Sequence, residues 1–342
     1  MEGEKPEKIL MVHQGGLGDF ILCLPAFGSI RRYYPKARIE LMGYPRILQL
    51  VERRYYVDQG RSIDQAGLGS FYLKDGNLGG AASRYFAGFD RAFLFLQDRD
   101  GIFSDNIRKT GVKEVVTISP FPEKGRRAHV IDHMLSSLSS MGIPPGGSIP
   151  RIFLLEEDRQ FAEDWLRHRG GYEGVGTGLV AIHPGSGSRK KLWPIENFLD
   201  LVARITGDLR LKTILFIGPA EGEYWGNGLG WMRSINSLWA ENLPLIQVAS
   251  LLDRCRCYIG NDSGITHLAA AVGVSTVALF GPTDPEIWGL RGERVAILRK
   301  NPGCSPCKEE ELERCNQRRC LELIEVKEVI ERVRGLICGR SD

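Results

Sequence analysis

A glycine-rich loop that ends in an acidic residue follows the first apolar run of the chain. Residues 9–12 predict a buried strand, and residues 14–19, Gln-Gly-Gly-Leu-Gly-Asp, come directly after it. Glycines let the backbone turn tightly and approach a ligand. Two of them have the spacing of a dinucleotide-binding fingerprint, but Ile21 occupies its third glycine position, so the fingerprint fails. Asp19, at the start of the predicted helix, is either a functional carboxylate at the mouth of a cleft or a group that merely favours the helix dipole.

A second loop, at 183–194, combines small residues with a run of positive charge. It reads His-Pro-Gly-Ser-Gly-Ser-Arg-Lys-Lys-Leu-Trp-Pro. Its backbone N–H groups and hydroxyls, with the cations of Arg189, Lys190 and Lys191, suit a diphosphate whose negative charge grows as it departs. A plain basic surface loop is the alternative.

A third loop, at 260–267, reads Gly-Asn-Asp-Ser-Gly-Ile-Thr-His and follows another predicted buried strand. A glycine-bearing turn from strand to helix points N–H groups at an anion, while Asp262, Thr266 and His267 offer polar contacts for hydroxyls. Alternatively, Asp262 and Ser263 are simple helix caps. Residues 280–285, Phe-Gly-Pro-Thr-Asp-Pro, then end the next predicted strand in a rigid turn.

The elements that position these loops alternate between short apolar runs and longer amphipathic stretches. Strands too apolar for a solvent-facing sheet, separated by helices, predict parallel sheets covered on both faces. Residues 170–178 include five glycines in nine residues, which is typical of a linker. The sequence therefore predicts an α/β protein of two Rossmann-like domains, 1–170 and 171–342, facing each other across a cleft.

Composition narrows the class of protein. A net charge of +3 on 342 residues is too small to indicate a nucleic-acid-binding protein. No secretory signal is visible, and the run at 9–12 is too short to span a bilayer, so we expect a cytoplasmic protein. Seven early basic residues form either a solvated face or a surface for an anionic acceptor or an acidic membrane: Arg31, Arg32, Lys36, Arg38, Arg46, Arg53 and Arg54.

Four of these elements together resemble the ADP-heptose:lipopolysaccharide heptosyltransferases, glycosyltransferase family nine. They are Gly18-Asp19 with Pro25, Lys191 with Trp193 and Pro194, the run from Asn261 to His267, and the run from Gly281 to Pro285. The resemblance extends over nearly the whole chain. It is weakest at 49–111, in the half that shapes the acceptor site in this family.

The resemblance implies a GT-B fold and an inverting reaction without a metal or other catalytic cofactor. By position, Asp19 matches the general base and Lys191 the diphosphate-binding lysine. The other matching positions bind the donor: Ser186 and Gly187 cradle phosphate, Glu221 binds ribose, Leu243 faces adenine, and Asp262, Ser263, Gly264 and His267 hold the sugar and phosphates.

The implied reaction moves a heptose from ADP-heptose to a lipopolysaccharide inner-core or other glycolipid acceptor, with peripheral contact at the inner face of the inner membrane. The alternatives are transfer of another nucleotide-activated sugar in surface polysaccharide synthesis, and non-catalytic nucleotide-sugar binding. Asp98 and Asp100 also resemble the metal-binding acidic pair of a different glycosyltransferase fold, which two Rossmann-like units disfavour.

Four of the eight cysteines have metal-like spacing: Cys304, Cys307, Cys315 and Cys320. They form a structural zinc site, stay as free or partly oxidised thiols, or form disulfides. Relatives carry a similar segment, which we expect to lie away from the chemistry. Cys23, Cys255 and Cys257 are expected in the core. Residues 326–338 predict an amphipathic helix that, in this fold, can cross back to the first domain.

Overall fold

The chain forms two compact units, residues 1–153 and 154–342. A computed structural model of the protein describes residues 7–64, 68–122, 127–170, 178–219, 221, 224 and 236–338. Nearly all of the glycine-rich link predicted at 170–178 lies outside the described residues. The division between the units falls before helix α6 (Glu156–Gly170), whereas the sequence placed the boundary after it. Helix α6 packs against a helix of the second unit, Leu245–Asp253, which explains its assignment to that unit.

The first unit has a five-stranded parallel sheet in the order β3-β2-β1-β4-β5. The central strand β1 is buried from its second residue onward, because helices cover both faces of such a sheet. Its elements are β1 (Lys8–His13), α1 (Leu17–Tyr33), β2 (Arg38–Gly43), α2 (Pro45–Leu48), β3 (Gln59–Ser62), a 3₁₀ turn (Leu68–Tyr72), α3 (Gly80–Phe86), β4 (Arg91–Phe95), α4 (Ile102–Lys109), β5 (Glu114–Thr117) and α5 (Val130–Ser140).

The second unit begins with α6 and has a six-stranded parallel sheet in the order β11-β10-β9-β6-β7-β8. Its elements are β6 (Leu179–His183), a 3₁₀ turn (Arg189–Lys191), α7 (Ile195–Gly207), β7 (Lys212–Ile217), β8 (Leu238–Glu241), α8 (Leu245–Asp253), β9 (Cys257–Asn261), α9 (Gly264–Val272), β10 (Ser275–Phe280), α10 (Pro285–Trp288), β11 (Val295–Arg299), α11 (Glu309–Arg314), α12 (Arg319–Glu322) and α13 (Val326–Cys338).

Strand order places the loops of the second unit side by side. Strands β9, β6 and β7 are neighbours, and His183 at the end of β6 is in register with Gly260 near the end of β9. In a parallel sheet these ends point the same way, so the loops after β6, β7 and β9 emerge at one edge. This edge is where ligands bind in open α/β sheets.

Packing confirms the expectation that three cysteines lie in the core. Cys23, Cys255 and Cys257 are buried, as expected of small hydrophobic side chains. Helix α13 packs against α7, β9 and β10 of its own unit, and Val329 and Val333 lie in the same apolar cluster as Phe198. Among the described residues, no helix combines the length and the apolar character needed to cross a bilayer.

Candidate functional site

Asp19 lies in the first turn of α1, where its Oδ2 accepts a hydrogen bond from the Gly16 N–H at 3.1 Å. This bond is the helix-start role that the sequence left open. Gly15 permits the arrangement, because a Cβ there would lie 2.9 Å from both Asp19 Cβ and His13 Cε1. A side chain at this position would collide with both Asp19 and the His13 imidazole, so glycine lets these two residues pack close to the loop.

His13 is a site neighbour that the sequence argument missed. It ends β1, is almost fully buried, and makes an edge-on ring contact with Phe20 at 5.3 Å between centroids. Burial lowers the pKa of His13 to about 4, so the imidazole beside Asp19 is neutral at pH 7. The position of His13 at the carboxyl end of a predicted strand was the feature of the sequence that could have identified it as a site residue.

Glu221 and His183 form a buried pair in the second unit. Glu221 Oε1 lies 3.3 Å from His183 Nε2, and its Oε2 accepts from the Gly218 N–H at 2.6 Å. Burial alone would raise the pKa of Glu221, but the hydrogen bond and electrostatic interaction with His183, together with the hydrogen bond from the Gly218 N–H, outweigh burial and lower the pKa. Glu221 is therefore an anionic hydrogen-bond acceptor near neutral pH. A Cβ at Gly185 would lie 1.4 Å from Oε1, so any side chain at this loop position would displace the Glu221 carboxylate from its place.

Lys191 and Asp262 form an ion pair across two of the adjacent loops. The Nζ to Oδ2 distance is 2.8 Å, and the side chains are 29% and 6% exposed. An ammonium has three donors, and Asp262 takes one of them. The pair fixes a partly exposed cation beside the ends of β6 and β9.

Ser186 and Asn261 hold the β6 and β9 loops together. The Ser186 hydroxyl donates to the Asp262 carbonyl at 2.8 Å, so its hydrogen is committed within the protein. Asn261 donates to the Pro184 carbonyl at 2.6 Å and accepts from the Trp193 N–H at 3.0 Å. Any donation to phosphate from residue 186 therefore has to come from its backbone N–H, unlike the hydroxyl contact that its residue type suggested.

The start of α9 separates two interpretations that the sequence left open. Ser263, not Asp262, is the cap residue, and its Oγ accepts from the Thr266 N–H at 3.4 Å. Gly264 is the first residue of the helix. Thr266 is fully buried and donates to the Asn261 carbonyl, so its hydroxyl has a structural role. His267 is also buried.

Two further predicted donor residues border the same loops. Gly187 is exposed, and none of the described atoms lies within 4 Å of a Cβ built there, so packing does not require glycine at this position. Leu243 is half-buried and lies between β8 and α8. The structure thus gathers Lys191, Glu221 and Asp262 at one edge of the sheet, with Leu243 following the next strand after β7.

The cysteine segment, defined here as residues 301–323, packs against the loop that carries Lys191. The Lys190 ammonium donates to the carbonyls of Leu312 and of Glu313, the latter at 2.6 Å. Arg318 Nη1 donates to the Leu192 carbonyl at 3.1 Å. The expectation that this segment lies away from the candidate site is therefore wrong, because contacts between residues more than a hundred positions apart bring it there.

All eight cysteines are free thiols. Cys320 is buried, and burial together with the neighbouring thiols raises its pKa and that of Cys307. The Cys315 thiol donates to the Gln317 carbonyl at 2.8 Å. Within the part of the chain that the structure describes, no three His, Cys, Asp or Glu side chains are arranged to hold a metal ion. Zinc at Cys304, Cys307, Cys315 and Cys320 stays a prediction.

Asp98, the first residue of the acidic pair Asp98 and Asp100, has a structural explanation. The Asp98 carboxylate accepts from the backbone N–H groups of Phe103 at 3.2 Å and Ser104 at 2.8 Å. It therefore satisfies the first turn of α4, whose N–H groups have no partner within the helix. This role accounts for Asp98 without a metal site.

A family model, glycosyltransferase family 9 (heptosyltransferase), matches residues 123–316, more than half of the 342 residues. The chain belongs to glycosyltransferase family 9. The part matched by the family 9 model contains Lys191, Glu221 and Asp262, whereas Asp19 precedes it.

Curated proteins and solved structures resemble the chain to different extents. Lipopolysaccharide heptosyltransferase 2 of Salmonella typhimurium is 28% identical over 127 residues, 35% of this chain and 36% of the relative. The chain thus spans about a third of that relative's length. A family 9 glycosyltransferase from Veillonella parvula superposes with a TM-score of 0.78 at 21% identity, covering 97% of this chain and 98% of that one.

The structure of E. coli ADP-heptose lps heptosyltransferase II superposes with a TM-score of 0.76 at 17% identity, covering 98% of this chain and 100% of that one. Identities this low establish a shared fold. The α/β class with Rossmann-like units of the GT-B type, expected from the sequence, is confirmed.

Proposed function

We propose that the protein is a glycosyltransferase that transfers a heptose from ADP-heptose to a lipopolysaccharide inner-core acceptor with inversion at the anomeric carbon. One observation carries the proposal: Lys191, Glu221 and Asp262 follow three neighbouring strands within the region that the family model matches. The names of the relatives support it, since the Salmonella protein is called lipopolysaccharide heptosyltransferase 2 and the E. coli protein ADP-heptose lps heptosyltransferase II.

The second unit supplies the donor site in this proposal. The Lys191 ammonium and the backbone N–H groups of Ser186, Gly187 and Gly264 stabilise the diphosphate as its charge grows. The anionic Glu221 accepts hydrogen bonds from the ribose hydroxyls. Leu243 contacts adenine, while Asp262, Ser263 and His267 bind the sugar and phosphates.

Asp19 supplies the base. It takes the proton of an acceptor hydroxyl while that oxygen bonds to the anomeric carbon and the bond from this carbon to the diphosphate breaks. ADP leaves with the bonding electrons on its terminal phosphate oxygen. The charge-stabilising groups in this scheme are protein groups, so the proposal includes no metal or other catalytic cofactor. Peripheral contact with the inner membrane stays a prediction.

The proposal is tested by titrating ADP-heptose with and without a heptose-deficient lipopolysaccharide acceptor. Turnover with the acceptor, together with the missing sugar found by mass spectrometry of lipopolysaccharide from a deletion strain, would support it. Binding without turnover would favour a nucleotide-sugar-binding protein. Turnover only with another nucleotide sugar would favour a different transferase of surface polysaccharide synthesis.

If the cysteine segment holds a structural metal, protein purified under reducing conditions should carry about one zinc equivalent, because four thiolates close a tetrahedral site. Elemental analysis measures it. Cys315→Ser should lose the metal, whereas the matched control Cys338→Ser, an exposed cysteine outside the segment, should keep it. Absence of metal together with four titratable thiols in wild-type protein would contradict zinc and leave the transferase proposal intact.

A further inference from the structure

The residues on either side of Lys191 are both bonded to the cysteine segment. Before it, the Lys190 ammonium donates to the carbonyls of Leu312 and Glu313. After it, the Leu192 carbonyl accepts from Arg318 at 3.1 Å. The short turn that carries Lys191 is thus attached at both ends to a segment more than a hundred residues away along the chain.

The turn has little regular structure of its own. Arg189–Lys191 is a single 3₁₀ turn, with the Ser188 hydroxyl accepting from the Lys190 N–H at 3.3 Å, and α7 begins only at Ile195. Short 3₁₀ turns have poorer hydrogen-bond geometry than α-helices. Contacts from outside the turn therefore help to fix the direction in which the long Lys191 side chain leaves the backbone. They include the bond of the Trp193 N–H to Asn261 and the pair of Lys191 with Asp262 as well as the bonds to the cysteine segment.

The Lys190 ammonium is hydrogen-bonded to the C-terminal end of a helix. Its acceptors, the Leu312 and Glu313 carbonyls, belong to the last turn of α11, and the Leu312 carbonyl also accepts from the Cys315 N–H at 3.2 Å. A cation is favourable at a helix C-terminus. Because the Lys190 ammonium is bonded to these carbonyls, it lies against the cysteine segment, whereas the Lys191 ammonium is bonded to Asp262.

We propose that Lys190 is a positioning residue that, together with Arg318, fixes the 189–192 turn to the cysteine segment and so holds the Lys191 ammonium where the donor diphosphate binds. The inference rests on the proposed function and deepens it. It makes the cysteine segment part of the donor site's support.

A double-mutant cycle on ADP affinity tests the inference. Lys190→Met keeps the aliphatic stem and removes the donors, and we expect ADP binding to weaken about tenfold, the order of one charge-assisted hydrogen bond. Lys191→Met should weaken ADP binding more. Because Lys190 acts through Lys191, the double variant should bind ADP no more weakly than Lys191→Met alone.

Three further variants separate positioning from other effects. Lys190→Arg keeps the charge and the donors, so it should restore most of the affinity. Lys308→Met removes the same charge from an exposed lysine of the same segment and should leave the affinity unchanged. If Lys190→Met fails to fold, Arg318→Met removes the other attachment and should weaken ADP binding in the same non-additive way.

The outcomes distinguish this inference from the proposed function. If the fold losses of ADP affinity in the two single variants multiply in the double variant, Lys190 contacts the diphosphate itself. If Lys190→Met and Lys308→Met bind ADP with equal affinity, the attachment of the turn to the cysteine segment is irrelevant to ADP binding. Either result overturns the inference while Lys191 stays a donor ligand. Unchanged ADP affinity in Lys191→Met would instead remove the proposed donor site.

Discussion

An Asp19→Asn variant is expected to transfer sugar roughly 10²–10⁴ times more slowly than the wild-type protein, which is the usual contribution of a positioned acid or base. Asparagine keeps the shape of the side chain but cannot take the proton of the acceptor hydroxyl. The residues proposed to bind the donor lie in the second unit, so ADP affinity should barely change. Turnover and ADP affinity, measured on one preparation, check the prediction.

The structure supplies the control for this variant. Asp19 Oδ2 accepts from the Gly16 N–H, and an asparagine carbonyl oxygen can accept the same bond. The melting temperature should therefore stay close to that of the wild-type protein. Asp105 is another first-turn carboxylate of the first unit, exposed and paired with Arg108, so Asp105→Asn should leave turnover intact. Sugar transfer at near wild-type rate by Asp19→Asn would show that Asp19 is not the general base, and Asp262 would then be tested for that role.

A Lys191→Met variant is expected to lose about 10²–10³ in transfer rate, as when one preorganised electrostatic contact is removed from a transition state. The ammonium neutralises the diphosphate most strongly as the bond to the sugar breaks, so the rate should fall along with ADP affinity. Calorimetry with ADP and an initial-rate assay measure the two effects.

The ion pair complicates this variant in a testable way. Removing Lys191 leaves the Asp262 carboxylate, which is 6% exposed, without its cation, and an unpaired buried charge is destabilising. Adding Asp262→Asn removes that charge. If the Lys191 ammonium binds the diphosphate, ADP affinity should stay low in the double variant Lys191→Met, Asp262→Asn. Recovery of affinity there, or unchanged affinity and turnover in Lys191→Met, would show that Lys191 is no diphosphate ligand.

The local pattern of the chain was sufficient for the fold class and for the loops that follow the strands. Runs such as Leu179–His183 have no polar face, which requires burial on both sides and so a parallel sheet covered by helices. A strand that leads through small residues into a helix is also a local pattern. For that reason the sequence alone predicts Asp19, Lys191 and Asp262 as candidate site residues.

Tertiary structure decided what each candidate is bonded to. Lys191 and Asp262 are 71 residues apart in sequence, and Lys190 and Leu312 are 122 apart. No local pattern encodes such pairs, because they depend on which strands become neighbours and in which register. The pairing of β6 with β9 joins the first two residues, and the packing of the cysteine segment on the 189–192 turn joins the second two.

The same limit applies to residues whose type suggested one role and whose environment gave another. Ser186, Thr266 and Asp98 are typical ligand or metal-site residues, yet their side chains bond to backbone groups of the protein. A hydroxyl has one hydrogen, and sequence cannot tell whether a buried carbonyl or a ligand receives it. By itself the sequence determined the sheets and the loops that follow their strands. Only the tertiary structure decided which polar groups in those loops are hydrogen-bonded within the protein, because buried polar groups take partners that can be far away in the sequence.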